Sequence, residues 1–391
     1  MERITLCLIV KNEEQYLERC IQSVASLVEE IIIVDTGSSD NTVKIAKKYT
    51  DKIFYKELDN NFSNVRNYAI DQATLDWILF LDADEFFEAY DLNQLKKLLS
   101  TNIKKDVGAI KFYVYNFFNT GGWFTGHVLR FFRNRKRFIY INPMGERIEP
   151  SILKEGYKIL NPDIILNHTG HCKTPESRYR KTDVYIDICK KNILENKNDT
   201  LAHSYLEINS RNNGFLDTAY TETKIGVENN EISFLAQSFY GSVLRSINLN
   251  KEALEAYEKA SKYAPENMKG IMDNLRGVIL ISEKRYDEAI VLLKETYSKN
   301  KVLVHILINL GIAYFFKKEY DQALTCFLKV IKRNSYFLTY EEVGYFESDP
   351  YKSLTYETIY GYPGLGFLIA FCEKEEDRIA NRSKTSFLER D

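Results

Sequence analysis

Four continuous β-rich runs punctuate the start of the chain: ITLCLIV (4–10), EIIIVD (30–35), KIFYKEL (52–58) and WILFLDA (77–83). None alternates apolar with polar, which is the pattern of strands buried on both faces. The stretches between them have helical period. Tyr16, Leu17, Cys20, Ile21 and Val24 recur at helical spacing across residues 13–24. Asp40 stands as the N-cap of a helix predicted over residues 41–49, and residues 62–73 form a third helical stretch. Strand and helix alternating at this pitch require an open, mostly parallel sheet of βαβ units. Ligands of such sheets lie beyond the carboxyl ends of the strands.

The fourth run, WILFLDADEF, passes straight into Asp82, Asp84 and Glu85. An unpaired buried carboxylate costs several kcal/mol, so these acids should emerge where the strand leaves the core and meet a cation there. Asp35 ends the second run, so two strand ends deliver acid to the same rim. Alternation puts Asp82 and Asp84 on one side, with the small Ala83 between them. Two close carboxylates suit a hard divalent ion, Mg²⁺ or Mn²⁺, better than zinc. Such an ion can bridge a diphosphate and stabilise it as a leaving group. The plainer alternatives are a loop cap for Asp35 and a solvated turn for Asp82-Ala83-Asp84.

At 391 residues the chain exceeds one ordinary core, so two or three domains are expected. A formal net charge of −2 lacks the basic excess of a general nucleic-acid binder. No apolar run approaches the roughly 18–20 residues that span a bilayer. ITLCLIV is read as a first strand, not a signal peptide. The six cysteines are scattered without a C-x-x-C pair, which supports neither a disulfide framework nor a zinc knuckle and fits a reducing, cytoplasmic setting.

After about residue 200 the strands disappear and a repeat takes over. Gly241, Ala253, Tyr257, Ala260 and Pro265 follow the tetratricopeptide order of small, small, aromatic, small, proline. Gly277, Ala289 and Leu293 recur 36 residues on, and Gly311, Tyr314, Ala323 and Phe327 another 34 on, with Ala219 marking a degenerate first unit. The small residues should let paired helices approach, each aromatic filling the groove of the next unit. The concave surface of such a solenoid suits an extended peptide. Residues 175–195 read as a linking helix. The aromatic- and glycine-rich stretch 340–371 is either a cap or a self-association surface for a homodimer. The charged residues 373–391 are expected to fray. The expected layout is an α/β domain over 1–172, a linker over 173–200, an all-α repeat solenoid over 201–337 and a terminal element over 338–391.

LIVKNEEQYLERCIQSV, EIIIVDTGSSDNT and FSNVRNYAIDQATLDWILFLDADE resemble, in order, three blocks of glycosyltransferase family 2, whose fold is the nucleotide-sugar-binding GT-A domain. The resemblance is clear over about the first 90 residues and continues in fragments to about residue 200. It implies that Asp35 holds the nucleoside base and that Asp40 lies in the same nucleotide-binding loop. It places Val10, Asn12, Ser38, Arg66, Asn67, Asp82, Ala83 and Asp84 along the donor site, with Asp84 as the usual metal ligand. VLRFFRNRKRFIYINPMGERIEP (128–150) resembles a segment in which many relatives carry His before Glu. Gly145 replaces that His here, while Glu146 keeps the acid and is the candidate base or acceptor-site acid, with a surface hairpin glutamate as the alternative.

The basic cluster of Arg130, Arg133, Arg135, Lys136 and Arg137 is either a solvated hairpin face or supplies Arg130 or Arg133 to a diphosphate or an acidic acceptor. IILNHTGH (164–171) resembles a late element whose His completes the metal site, which makes His168 a metal ligand beside Asp84. The family implies an inverting, Mn²⁺- or Mg²⁺-dependent hexosyl transfer from a UDP-sugar, UDP-glucose or UDP-N-acetylglucosamine. A family 2 domain joined to tetratricopeptide repeats resembles the sublancin-type peptide glycosyltransferases, which modify Cys or Ser of ribosomally made peptides such as bacteriocins. Transferases of cell-envelope polysaccharide or lipid-linked sugar share this plan, and a relic sugar domain on a repeat scaffold is the non-catalytic alternative. A nucleotide-sugar pyrophosphorylase would open on a glycine-rich loop, and LIVKNEEQ contains no glycine.

Overall fold

The computed structural model describes residues 2–58, 61–101, 103–117, 123–142, 146–170, 190, 203, 206, 216–339 and 365–375. The chain divides into two units: residues 1–116 with 125–170, and residues 117–124 with 171–391. All but residue 190 of the expected linker at 175–195, together with Gly145, His171, Cys172 and most of the terminal element, lies outside the described residues.

The first unit is built on strands β1 (Ile4–Val10), β2 (Glu30–Asp35), β3 (Ile53–Tyr55), β4 (Trp77–Asp82), β5 (Glu85–Phe86), β6 (Val107–Phe117), β7 (Trp123–Arg133), β8 (Lys158–Leu160) and β9 (Ile165–His168). Its helices are α1 (Leu17–Val24), α2 (Thr42–Ala46), α3 (Phe62–Gln72), α4 (Ala89–Ser100) and α5 (Glu149–Lys154). The sheet runs β3-β2-β1-β4-β7-β6-β9-β5, with β8 beside β6. The first four strands are parallel, and β7 joins β4 antiparallel. This is the α/β GT-A plan, with four parallel strands delivering their carboxyl ends to one edge.

The reading of β1 and β4 as strands buried on both faces holds at the level of single residues. Ile4, Leu6, Leu8 and Val10 share one core with Trp77, Leu79 and Leu81. Cys7 enters the opposite core with Ile78 and Phe80. The strict period of two assigns each side chain to its layer. Local boundaries differ from expectation. Helix α1 begins at Leu17 because Glu13 and Glu14 give their amides to Thr42 Oγ1 and Asp40 Oδ2 across the loop. Helix α2 covers five residues, and Asp40 receives the amide of Thr42 from outside it. β3 pairs only with β2 and is cut to three residues, as an edge strand with half-exposed side chains can be. Cys7, Cys20 and Cys326 are free and buried, and Cys372 is buried.

Glu30 ties the start of β2 to three neighbouring segments. Its carboxylate accepts from Thr5 Oγ1 at 2.5 Å, Lys52 Nζ at 2.5 Å, Thr74 N at 2.9 Å and Thr74 Oγ1 at 2.8 Å. Burial alone would raise its pKa, but Lys52 and the Thr5 and Thr74 donors prevail and bring it from 4.5 to about 2. A lowered carboxylate pKa stabilises the fold above the unfolded value and loses that contribution as pH falls toward the folded one. The shift corresponds to about 3 kcal/mol at neutral pH. Urea unfolding of wild type should therefore weaken steadily between about pH 4.5 and 2, and Glu30→Gln should flatten that part of the profile. Parallel profiles for the two proteins would refute the assignment.

Apart from the ends of β6 and β7 at residues 117 and 123–124, the second unit is built of helices where described: α6 (Leu216–Asn229), α7 (Phe234–Ser246), α8 (Asn250–Tyr263), α9 (Glu266–Ser282), α10 (Tyr286–Lys299), α11 (His305–Phe316), α12 (Tyr320–Arg333) and α13 (Tyr336–Thr339), with residues 365–375 also helical. The predicted glycines sit where paired helices touch. A Cβ at Gly241 would stand 3.0 Å from Tyr257, one at Gly277 2.5 Å from Leu293, and one at Gly311 2.4 Å from Phe327. Each large residue follows its glycine by sixteen positions and packs against it from the partner helix of its own pair. Asn248, Lys284 and Lys318 take positive φ of 60–64° at the equivalent turn of each pair, just before α8, α10 and α12. The αL residue ends one helix and reverses the chain.

Candidate active site

Strand β4 ends at Asp82, and the next residues turn directly into β5. That turn brings its acids against two arginines from distant elements. Arg66, on α3, donates Nη2 to Asp82 Oδ1 at 3.1 Å and Nε to Glu146 Oε1 at 3.2 Å. Arg130, on β7, donates Nη2 to Asp82 Oδ2 at 2.5 Å and grips Glu85 through Nε and Nη2 at 2.9 Å each. The order Glu85–Arg130–Asp82–Arg66–Glu146 alternates charge along its whole length. Burial would raise the pKa of Asp82, but Arg130 and Arg66 outweigh it and hold the group at about 2. Burial raises that of Glu85 against the pull of Arg130.

The cation predicted to meet these carboxylates is thus, for Asp82, a pair of guanidinium groups. Asp84 points elsewhere. Its Oδ1 lies 3.4 Å from His168 Nε2, and its carbonyl accepts from Thr169 N and Oγ1, each at 3.0 Å. The pairing of β5 with β9 sets Glu85 opposite His168 and so fixes this approach. His168 Nδ1 donates to Asn116 Oδ1 at 2.6 Å, the tautomer-fixing contact expected behind a ligating imidazole. Burial works against the imidazolium, yet Asp84 raises the pKa of His168. Beside the pair stands Gly170. A Cβ there would lie 2.5 Å from His168 Nε2 and 2.8 Å from Asp84 Oδ2, so only glycine keeps that space open.

One carboxylate and one imidazole facing a space cleared of Cβ suit Mn²⁺ or Mg²⁺ whose remaining positions are filled by phosphate and water oxygens. Among the described residues no group of three or more His, Cys, Asp or Glu side chains forms a complete cage. Asp82, with an arginine on each oxygen, is placed as a partner of arginines.

The other predicted positions divide. Asp35 ends β2 and accepts from the amides of Gly37 and Ser38 at 3.1 Å, so it caps its own loop. Asn12, at φ 56°, accepts from Ser39 N at 2.8 Å and donates its own amide to Ser38 Oγ at 3.0 Å, which joins the loops after β1 and β2. Val10 closes the same corner through its carbonyl, which accepts from Thr36. Asn67 is a clamp on the chain: it exchanges two hydrogen bonds, at 3.0 and 2.8 Å, with the backbone of Tyr140. Arg133 does not lie on a solvated face. It is 3% exposed, bonds Glu2 at 2.6 Å and Val107 O at 2.9 Å, and lies over the Trp77 ring, which removes it from the candidates for a diphosphate.

Two groups escaped the sequence reading. Tyr140 is 4% exposed, and its hydroxyl and Arg66 Nη1 are buried without a partner among the described residues. Burial pushes the Tyr140 pKa up to about 12. Gly170 carried a signal, since a glycine two residues after a candidate ligand is a place where something must come close.

Residues 5–151 match the glycosyl transferase family 2 profile. The first domain is a family 2 glycosyltransferase domain. Residues 304–336 match a tetratricopeptide repeat. A TPR repeat-containing protein of Synechococcus elongatus is 36% identical over 160 residues, which is 39% of this chain and 37% of that protein. The SPbeta prophage-derived glycosyltransferase SunS of Bacillus subtilis is 38% identical over 97 residues, 24% of this chain and 23% of the relative. The matches thus span well under half the length of either relative. The solved structure of MamA aligns over 42% of this chain and 96% of its own, at 20% identity and a TM-score of 0.36.

Proposed function

We propose that the chain is an inverting, metal-dependent transferase that moves a hexose from a UDP-sugar to a Cys, Ser or Thr side chain of a polypeptide. The observation that carries this reading is the Asp84–His168 pair facing the space that Gly170 keeps open, at the carboxyl edge of the parallel strands. On this reading Asp84 and His168 hold Mn²⁺ or Mg²⁺. When bound, the ion supplies positive charge to the departing diphosphate.

The chain's own residues do the rest. The loop built on Asp35, Ser38, Asp40 and Asn12 receives the nucleoside. Arg66 and Arg130 hold Asp82 so that the acidic turn keeps its shape. Glu146, on the far side of Arg66, is the acid proposed to meet the acceptor nucleophile. The helical repeats support a polypeptide acceptor, since stacked helix pairs of this kind present extended grooves to peptides. Among the described residues no helix is long and apolar enough to cross a membrane. The intact site favours a working enzyme over a relic domain.

The deciding measurement is calorimetric titration of UDP into the full-length protein with and without Mn²⁺. Binding that requires Mn²⁺ is the expected result. Absence of binding under both conditions would overturn the donor assignment.

A further inference from the structure

Metal affinity depends on how firmly the ligands are aimed, and Asp84 lies on a turn that could swing. The residues on either side of it are held together by one side chain. Arg130 Nε lies 2.9 and 3.2 Å from the two oxygens of Glu85, and its Nη2 lies 2.9 Å from Glu85 Oε1 and 2.5 Å from Asp82 Oδ2. The amide of Asp82 closes the ring by donating to Glu85 Oε2 at 3.0 Å. A single guanidinium therefore clamps positions 82 and 85 across the turn, with Ala83 and Asp84 at its tip. The clamp is rigidly seated: the Arg130 side chain is 11% exposed and that of Glu85 2%. Arg66 is not equivalent, because it takes the other oxygen of Asp82 and then turns away to Glu146.

We propose that Arg130 is a positioning residue for the metal: by pinning Asp82 to Glu85 it holds the Asp84 carboxylate toward His168 and so sets the affinity of the site for its divalent ion. The proposal rests on the metal-dependent reading above. It requires a planar fork. A lysine ammonium would keep the charge but cannot chelate Glu85 and reach Asp82 at once. Loss of an orienting group behind a metal ligand typically weakens metal affinity by about 10–100-fold.

The test is the Mn²⁺ concentration that half-saturates UDP binding, measured by calorimetry on wild type and Arg130→Lys, together with UDP affinity at saturating Mn²⁺. The expected result is a half-saturating concentration raised by about 10-fold or more in the variant, with UDP affinity near that of wild type once Mn²⁺ is saturating. A general loss of structure would instead weaken UDP binding at every metal concentration. An unchanged half-saturating concentration refutes the clamp. Should Arg130→Lys fail to give a cooperative melt, Glu85→Gln takes its place, since it replaces one clamping oxygen with an NH₂ that cannot accept from Arg130. The same rise is expected there, and a wild-type value refutes the proposal. If wild type itself shows no Mn²⁺-dependent binding, the functional reading falls first. If wild type binds and the variants do not shift, the clamp falls alone.

Discussion

Asp84→Asn should abolish Mn²⁺-dependent UDP binding and lower turnover by about three orders of magnitude or more, while the protein still folds. A bound divalent ion contributes several kcal/mol to a developing diphosphate charge, and each 1.4 kcal/mol is about a factor of ten. Asparagine matches aspartate in shape, and the carbonyl of residue 84 keeps both hydrogen bonds from Thr169. The change relieves repulsion with Asp82 and Glu85 but gives up the attraction to His168, so the melting temperature should change little. Gly170→Ala approaches the same site from outside, because its Cβ would press on both His168 and Asp84. It too should lose metal-dependent binding. Full activity in Asp84→Asn would remove the metal site, and full activity in Gly170→Ala would show that the space beside the pair is not used.

Much of this site was legible in the chain because strand chemistry is local. A continuous apolar run that stops at Asp82 must place its acids at an edge, and β4 does so. The alternation that put Asp82 and Asp84 on one side suggested a shared metal. The structure separates their tasks, because the turn at 83–84 ends the strand and breaks its period. What occupies each carboxylate depended on partners far along the chain: 48 residues separate Arg130 from Asp82, and 80 separate Glu146 from Arg66. No spacing rule reaches across such distances. The basic cluster failed as a group for the same reason. Arg130 and Arg133 lie three positions apart on one strand, so they face opposite sides: one meets the acidic turn, the other Trp77 and Glu2. In the repeats a fixed period revealed the glycines, while which helix each aromatic covers required the packing itself.

That packing yields the second large effect. Phe327 is fully buried and lies against Gly311 on the neighbouring helix, and Phe327→Ala should cost about 3–5 kcal/mol by leaving a void. Gly311→Ala taken alone sets two terms against each other. Replacing a mid-helix glycine gains about 1 kcal/mol in helix propensity, whereas forcing a methyl into a filled space costs about 1–3 kcal/mol. With Phe327 Cε1 only 2.4 Å from the new Cβ, the second term wins and the variant is destabilised. Gly241→Ala, whose Cβ would meet Tyr257 at 3.0 Å, should come out near neutral. Once Phe327 is alanine the obstruction is gone, and adding Gly311→Ala should stabilise the protein by about 1 kcal/mol. The sign of one substitution thus reverses with the identity of a residue sixteen positions away. Urea unfolding of the four members of that cycle measures it directly. Additive losses would mean that the glycine serves the bend of the helix and not the contact with Phe327.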